Sequence, residues 1–346
     1  MKINDLATTN KLLLCLVVPV VFYILKVLSF IFVPFMFAVF IALLFMPLMR
    51  WLEKRNVKKW IALIIVTFVI VGSLFVVVKL IQVSAFEINQ GKRGLYEKLN
   101  VRVNELVLPF KDMLGLTMGG EESSIKQLLE SEQIKDVIYG NVGITFSIFT
   151  NTLTNVLMTL FFLFLLLAGS LNLNHVFHEM LSRNKMQAVR TYTSIENSIS
   201  RFLKVKIFVS FLTGLSYGLI CYFLDISFPL FWGVFAFAIN FVQMIGSIIA
   251  VVLASIMAFI EIDTPGLLFL AILLFTLMQV IFGSIIEPVM MGKSFSINII
   301  VVLMALMFWG FLWGVPGLIL SIPLTVLMKT MFTQFEGTRK IALYMS

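Results

Sequence analysis

Residues 283–296 read Gly-Ser-Ile-Ile-Glu-Pro-Val-Met-Met-Gly-Lys-Ser-Phe-Ser, placing Glu287, Pro288, Gly292, Lys293 and Ser294 between two long apolar runs. Two chemistries use such residues. A carboxylate in apolar surroundings binds a cation or takes up a proton, and a Gly-Lys-Ser triplet closes a phosphate-binding loop. That loop requires a glycine five positions before Gly292, with four residues between, where Glu287 stands, and a strand ahead of it, where an apolar run of membrane length stands instead. The nucleotide reading fails on both counts. No other Walker motif occurs, so an ATP-driven pump is not expected of this chain. Glu287 and Pro288 are instead expected to end an apolar helix, with Gly292 turning the chain and Lys293 reaching the interface. An ionisable residue at the membrane is a candidate for ion or substrate contact, with a structural salt bridge as the alternative. Asp225, Glu261 and Asp263 fall at the ends of apolar runs and read as solvated interface.

Amides form the second candidate. In Asn-Phe-Val-Gln-Met-Ile-Gly-Ser (240–247), Asn240 and Gln243 lie three apart, on one helical face, and Gly246 permits close backbone approach or unwinding. Amides at membrane depth need partners, either neighbouring helices or a polar solute. A third candidate, His175 and His178, has the spacing of two metal ligands. The chain holds only 2 histidines and no His-Glu-x-x-His pattern, so no metal site is expected. No Gly-x-Ser-x-Gly elbow appears, and no enzyme or cofactor chemistry is expected.

The elements that must position these residues follow from composition. Of 346 residues, 60% are hydrophobic and 13% charged, with a mean hydropathy of +1.04. Soluble domains are about 25% charged. The chain is therefore expected to be all-α and polytopic in a membrane, and Cys15 and Cys221 to be small core residues inside apolar runs. Residues 12–49 are about twice the roughly 20 needed to span, and split at Lys26 into two helices. Further spans are expected at 60–78, 144–171, 207–224, 227–260, 265–286 and 294–328, giving eight. The first run carries no cleavage signature and reads as a retained anchor.

The span at 227–260 would reach about 50 Å as one helix, so it must tilt or break, and 240–247 is the expected place. The span at 294–328 is equally long and carries Gly310, Gly314, Pro316, Gly317 and Pro323. Two long interrupted helices are a pointer to a transporter site. Three segments follow: 1–82 with three spans; a polar insert at 83–143, read as an amphipathic helical pair; and 144–346 with five spans and a loop at 172–206. Lys and Arg concentrate in the N-terminal tail, at 50–59, at 183–206 and in the C-terminal tail, which puts both termini in the cytoplasm and the insert outside. Topology and anionic lipid account for the net charge of +8 without nucleic acid.

The stretch from 197 to the C-terminal region resembles the bacterial autoinducer-2 exporter family of PerM-like permeases. Asn240, Phe241, Ile245 and Gly246 match the family's Asn-Phe-Ile-Pro-x-Ile-Gly element, with Gln243 in place of proline. Pro288 and Gly292 match its Pro-x-x-x-Gly, and Gly314, Gly317 and Pro323 its closing glycines and proline. A second acidic residue of the family would align near Phe282 and is absent. The resemblance implies a homo-oligomer, pentameric in form, in the bacterial inner membrane, exporting a small polar furanosyl signal or, in other members, exchanging sodium for protons. In the first case Asn240 and Gln243 would bond the solute's hydroxyls and the glycines would let helices move. In the second Glu287 would be the site. A non-transporting scaffold that binds a partner through the insert is the reading from a different class.

Overall fold

The computed structural model describes residues 2–114, 154–169, 185–292, 297–334 and 337–345. Every regular element among them is helical: α1 (Lys2–Val27), α2 (Ser29–Lys54), α3 (Lys59–Leu114), α4 (Thr154–Gly169), α5 (Lys185–Phe223), α6 (Pro229–Ile239), α7 (Ile245–Glu261), α8 (Pro265–Gln279), a π-helix (Val280–Ile286), α9 (Glu287–Met291), α10 (Ile299–Gln334) and α11 (Arg339–Tyr344). Five described helices are long and apolar enough to cross a membrane: Ser29–Lys54, Trp60–Ile88, Thr193–Phe223, Pro265–Met291 and Ile299–Thr333. The expected second helix of the insert, His175, His178 and the Lys293–Ser294 pair lie outside the described residues.

Several expected boundaries shift. The chain breaks at Leu28, two residues after Lys26. α3 runs through position 82 without interruption for 56 residues, so the third span and the first helix of the insert are one rod. α5 begins at Lys185, not 207, and α8 with its π and α9 continuations ends at Met291, not 286.

Both long apolar runs are interrupted where expected, at 240–244 and at Gly314, and in each the chain turns back rather than tilting. α6 has 11 residues and α7 has 17, joined by a turn at 240–244. At 1.5 Å per residue α6 reaches about 17 Å, little more than half of a hydrocarbon core about 30 Å thick. The two arms run back along each other. Trp232 and Ala236 share a buried core with Ala250, Ala254, Met257 and Ala258, and Ser227 donates from N (2.5 Å) and Oγ (2.5 Å) to the Glu261 carboxylate at the other end. The pair is thus a helical hairpin that enters and leaves at one end.

α10 behaves alike. Gly314 has φ 62° and ψ −141°, which stops helical progress, and a side chain on Gly317 would overlap the carbonyl oxygen of Trp309. Eight residues apart in a straight helix, those two would be separated by about 12 Å. Pro316 falls in the first turn of the returning arm, where its missing N–H breaks no bond. Pro323 is buried further along it. A Cβ on Gly310 would come 2.7 Å from Leu318 Cδ2, and Asn298 N donates to Met345 O (3.0 Å), so the start of α10 meets the segment that follows it.

The chain forms two compact units. One comprises residues 1–71, 155–207 and 288–346, and its core gathers Phe40, Ile199, Ala305, Trp309, Trp313, Leu320 and Leu324. Trp313 Nε1 donates to Leu25 O (3.0 Å) and Lys26 Nζ lies 3.9 Å above the Phe311 ring, so the tip of the α10 hairpin is fastened to the end of α1. Within the same unit Arg50 pairs with the buried Glu196. The other unit comprises 72–154 and 208–287, centred on the α6–α7 hairpin with Tyr217, Ala271 and Phe275 against it. α5 meets α6 through small residues. A Cβ on Gly214 would lie 2.6 Å from Gly233 O, and one on Gly233 3.5 Å from Gly218 Cα. The Gly-x-x-x-Gly spacing of 214 and 218 lets the backbones approach, as lipid-embedded helices do when apolar burial alone gives no driving force.

Candidate functional site

The tip of the α6–α7 hairpin is built by an abrupt reversal. Ile245 N bonds Gln243 O (2.7 Å), Gly246 N bonds Val242 O (3.0 Å), and Met244 adopts φ 60°, a conformation costly for a side-chain-bearing residue. Gly246 is required because a Cβ there would overlap Ile239 O. Gln243 is half-buried in the turn itself.

Asn240, the first turn residue, is 2% exposed and faces two helices. Its Nδ2 donates to Ser210 Oγ of α5 (3.0 Å), and its Oδ1 accepts from Gln279 Nε2 of α8 (3.4 Å). Gln279 Nε2 also donates to Ser247 Oγ (2.7 Å). Gln279 is 7% exposed, and its Oε1 has no partner. Turning the amide over would only exchange the atom left over, so in either orientation one buried polar atom is unsatisfied. That costs about 1–3 kcal/mol. The feature therefore points to a hydroxyl or water that completes it.

Depth follows from helix lengths. Ser210 lies 13 residues before the end of α5 and Gln279 14 residues after the start of α8, about 20 Å along each axis, and Asn240 lies about 17 Å up the hairpin. The cluster therefore lies well inside helices of membrane-spanning length, away from the helix ends that would meet a surface.

The π-helix starts immediately after Gln279. Glu287 N reaches back to Phe282 O, five residues away, and this wider turn accommodates Pro288, which has no N–H to give an α-type bond. Gly283 sits in it, where a Cβ would lie 3.0 Å from Gln279 Nε2. Gly283→Ala is accordingly expected to displace the amide, raising the half-saturation concentration for transport severalfold with little change in thermal midpoint. Initial rates across solute concentration, beside a melting curve, check this.

Of the residues singled out from the sequence, Asn240 joins the cluster, and Gln243 and Gly246 shape its turn. Glu287 is buried (2% exposed) eight residues beyond Gln279, about 12 Å along the helix. Pro288 and Gly292 end that helix: Gly292 has φ 73°, its N bonds Pro288 O (2.9 Å), and Arg201 caps Met290 O (3.1 Å). Gly310, Gly314, Pro316, Gly317 and Pro323 all belong to the α10 hairpin. Ser210, Ser247, Gln279 and Gly283 were not singled out. Gln279 was the legible one, an amide within an otherwise apolar run at 265–286. Among the described residues no group of three or more His, Cys, Asp or Glu is placed to hold a metal.

A multi-pass helical chain with two folded-back helices and a buried, uncharged polar cluster at membrane depth belongs to the class of membrane transporters. Comparison with known proteins gives the family: residues 12–337 match the model of the AI-2E family transporter, and the chain belongs to that family. It is 29% identical over 324 residues to the AI-2 transport protein TqsA of Escherichia coli strain K12, covering 91% of this chain and 89% of that one. A Haemophilus influenzae protein carrying only a general transport name is 26% identical over 343 residues, covering 98% and 97%. Bacillus subtilis YrrI, named likewise, is 22% identical over 321 residues, covering 90% and 89%.

Proposed function

We propose that the protein is a secondary transporter or passive facilitator that exports a small hydroxylated solute of the autoinducer-2 type, acting as a homo-oligomer in a bacterial inner membrane. The observation that carries this reading is the Asn240–Gln279 pair, two buried amides with one atom left over, far from the ends of the helices that hold them. Asn240, Gln279, Ser210 and Ser247 bear no formal charge, and amides and hydroxyls together offer both donors and acceptors, which suits a neutral polyol better than an ion. TqsA, a relative at 29% identity, is named for AI-2 transport and lends the solute class. Both termini are cytoplasmic in this reading. If α1, α2, α3, α4, α5 and α8 cross and each hairpin returns to its own side, both termini share one face, and the exposed Lys54, Arg55 and Lys58 support the inner one.

A second reading, sodium–proton exchange at Glu287, draws on the burial of that carboxylate. Proteoliposomes of purified protein separate the two. Loaded with autoinducer-2, they are expected to release it faster than protein-free vesicles, without a sodium or proton gradient if the protein is a facilitator and only with one if transport is coupled. Sodium and proton movement alone, lost in Glu287→Gln, would replace the exporter reading with the exchanger. Native mass spectrometry counts the subunits.

A further inference from the structure

The α6–α7 hairpin is held at its base by the part of α3 that continues past its membrane stretch. Trp60–Ile88 is the apolar part of that helix, and Lys98 and Arg102 lie beyond it, four residues apart on one face. Lys98 Nζ is 3.6 Å from Glu261 Oε1, the same carboxylate that accepts from Ser227 N and Oγ. Arg102 Nη2 donates to Ile262 O (2.6 Å) and lies 2.8 Å from Asp263 Oδ1, with its guanidinium carbon 5.8 Å from the Phe259 ring centre. Ile88, a few turns earlier, packs into the hairpin's core. These contacts fall on the last turn of α7, the three residues that lead into α8, and the turn ahead of α6. Both legs are thereby tied to one rod.

The leverage is large. An arm of about 17 Å tilted by about 5° at its base moves its tip by about 1.5 Å. That displacement breaks a 3.0 Å hydrogen bond such as the one from Asn240 to Ser210. The ion pair at Asp263, whose side chain is 92% exposed, contributes little to stability, so its geometric role exceeds its energetic one.

We propose that Arg102, assisted by Lys98, is a positioning residue: it fixes the base of the hairpin so that Asn240 meets Gln279 at the tip, making the extension of α3 beyond its apolar stretch a structural part of the transport site. The effect on transport rests on the function proposed above; the clamp itself does not. Hydrogen exchange therefore tests it first, on the full-length protein in detergent or nanodiscs. Arg102→Ala is expected to speed exchange of the amides at 226–233 and 244–248 about tenfold or more, with α2 and the α10 hairpin unchanged. Arg102→Lys, which keeps a charged donor able to reach Ile262 O, is expected to hold exchange at least halfway back to the parent rate. Solute release from proteoliposomes should follow, with a half-saturation concentration raised severalfold in Arg102→Ala and maximal rate retained. Unchanged exchange at both segments, a rise spread evenly through the chain, or exchange in Arg102→Lys as fast as in Arg102→Ala would each overturn the clamp. If the clamp is seen by exchange and no autoinducer-2 is released by any variant, it is the proposed solute that falls.

Discussion

Replacing Asn240 and Gln279 together by leucine is expected to lower the transport rate at subsaturating solute by about 100-fold or more, while the protein stays folded. Each amide lost removes a solute hydrogen bond of about 1–3 kcal/mol, and two such losses of about 1.4 kcal/mol or more each reach two factors of ten. Folding is spared because both partners of the amide pair become apolar together, a change that is close to neutral when the shapes match. Ser210 and Ser247 lose their amide partners, but a helical serine returns its hydroxyl to the carbonyl one turn back, as Ser216 does with Leu212 O (2.8 Å). Initial rates and a melting curve on the same preparation separate the two effects. A protein that melts normally and transports normally would remove the cluster from the pathway.

Gly317→Val should have the largest effect on stability. Its side chain would occupy the position of the Trp309 carbonyl oxygen, an obstacle of backbone that cannot rotate away, so the cost exceeds the usual 1–3 kcal/mol of overpacking and the α10 hairpin opens. A melting midpoint lowered by about 10 °C or outright loss of folded protein is expected, followed by size-exclusion of heated samples. Gly314→Ala should cost less. Nothing lies within 4 Å of its Cβ position, and the penalty is that of φ 62° with ψ −141°, a region open essentially to glycine alone, on the order of 1–3 kcal/mol. Gly72→Ala, in the middle of α3 with open space around it, should stabilise by up to about 1 kcal/mol. The order Gly317, Gly314, Gly72 tests the hairpin geometry, because a merely kinked helix would treat the first two alike.

Hydropathy made the helical membrane architecture legible, and chain length at 227–260 made a break inevitable. The direction after the break was not legible. Asn240 and Gly246 have the same spacing in a kinked helix and in a reversal, and only the approach of Ile239 to Gly246 decides between them. In a hydropathy window a returning pair reads like one long crossing. Asn240 was visible because an amide stands out in an apolar run. Its partners were not, because Ser210 and Ser247 are tolerated anywhere in a helix and Gln279 lies 39 residues away with no pattern linking it to the tip. α3 misled for another reason: the change from apolar to amphipathic near residue 82 looks like a boundary, yet both stretches favour a helix, so nothing stops it there. The clamp by Lys98 and Arg102 depends on that continuity. Glu261, read from sequence as a solvated end, is instead buried beneath it with two bonds from Ser227.

The central claim is that the solute passes the hairpin tip, and the most direct measurement of it is solute protection at Ser247. In a chain with Cys15 and Cys221 replaced by serine or alanine, Ser247→Cys would be reacted with a small hydrophilic thiol reagent in proteoliposomes, with and without autoinducer-2. The thiol is expected to react, and the solute to slow the reaction with a half-effect concentration equal to that for transport. A thiol that reacts at the same rate at every solute concentration, in a variant that still transports, would contradict it.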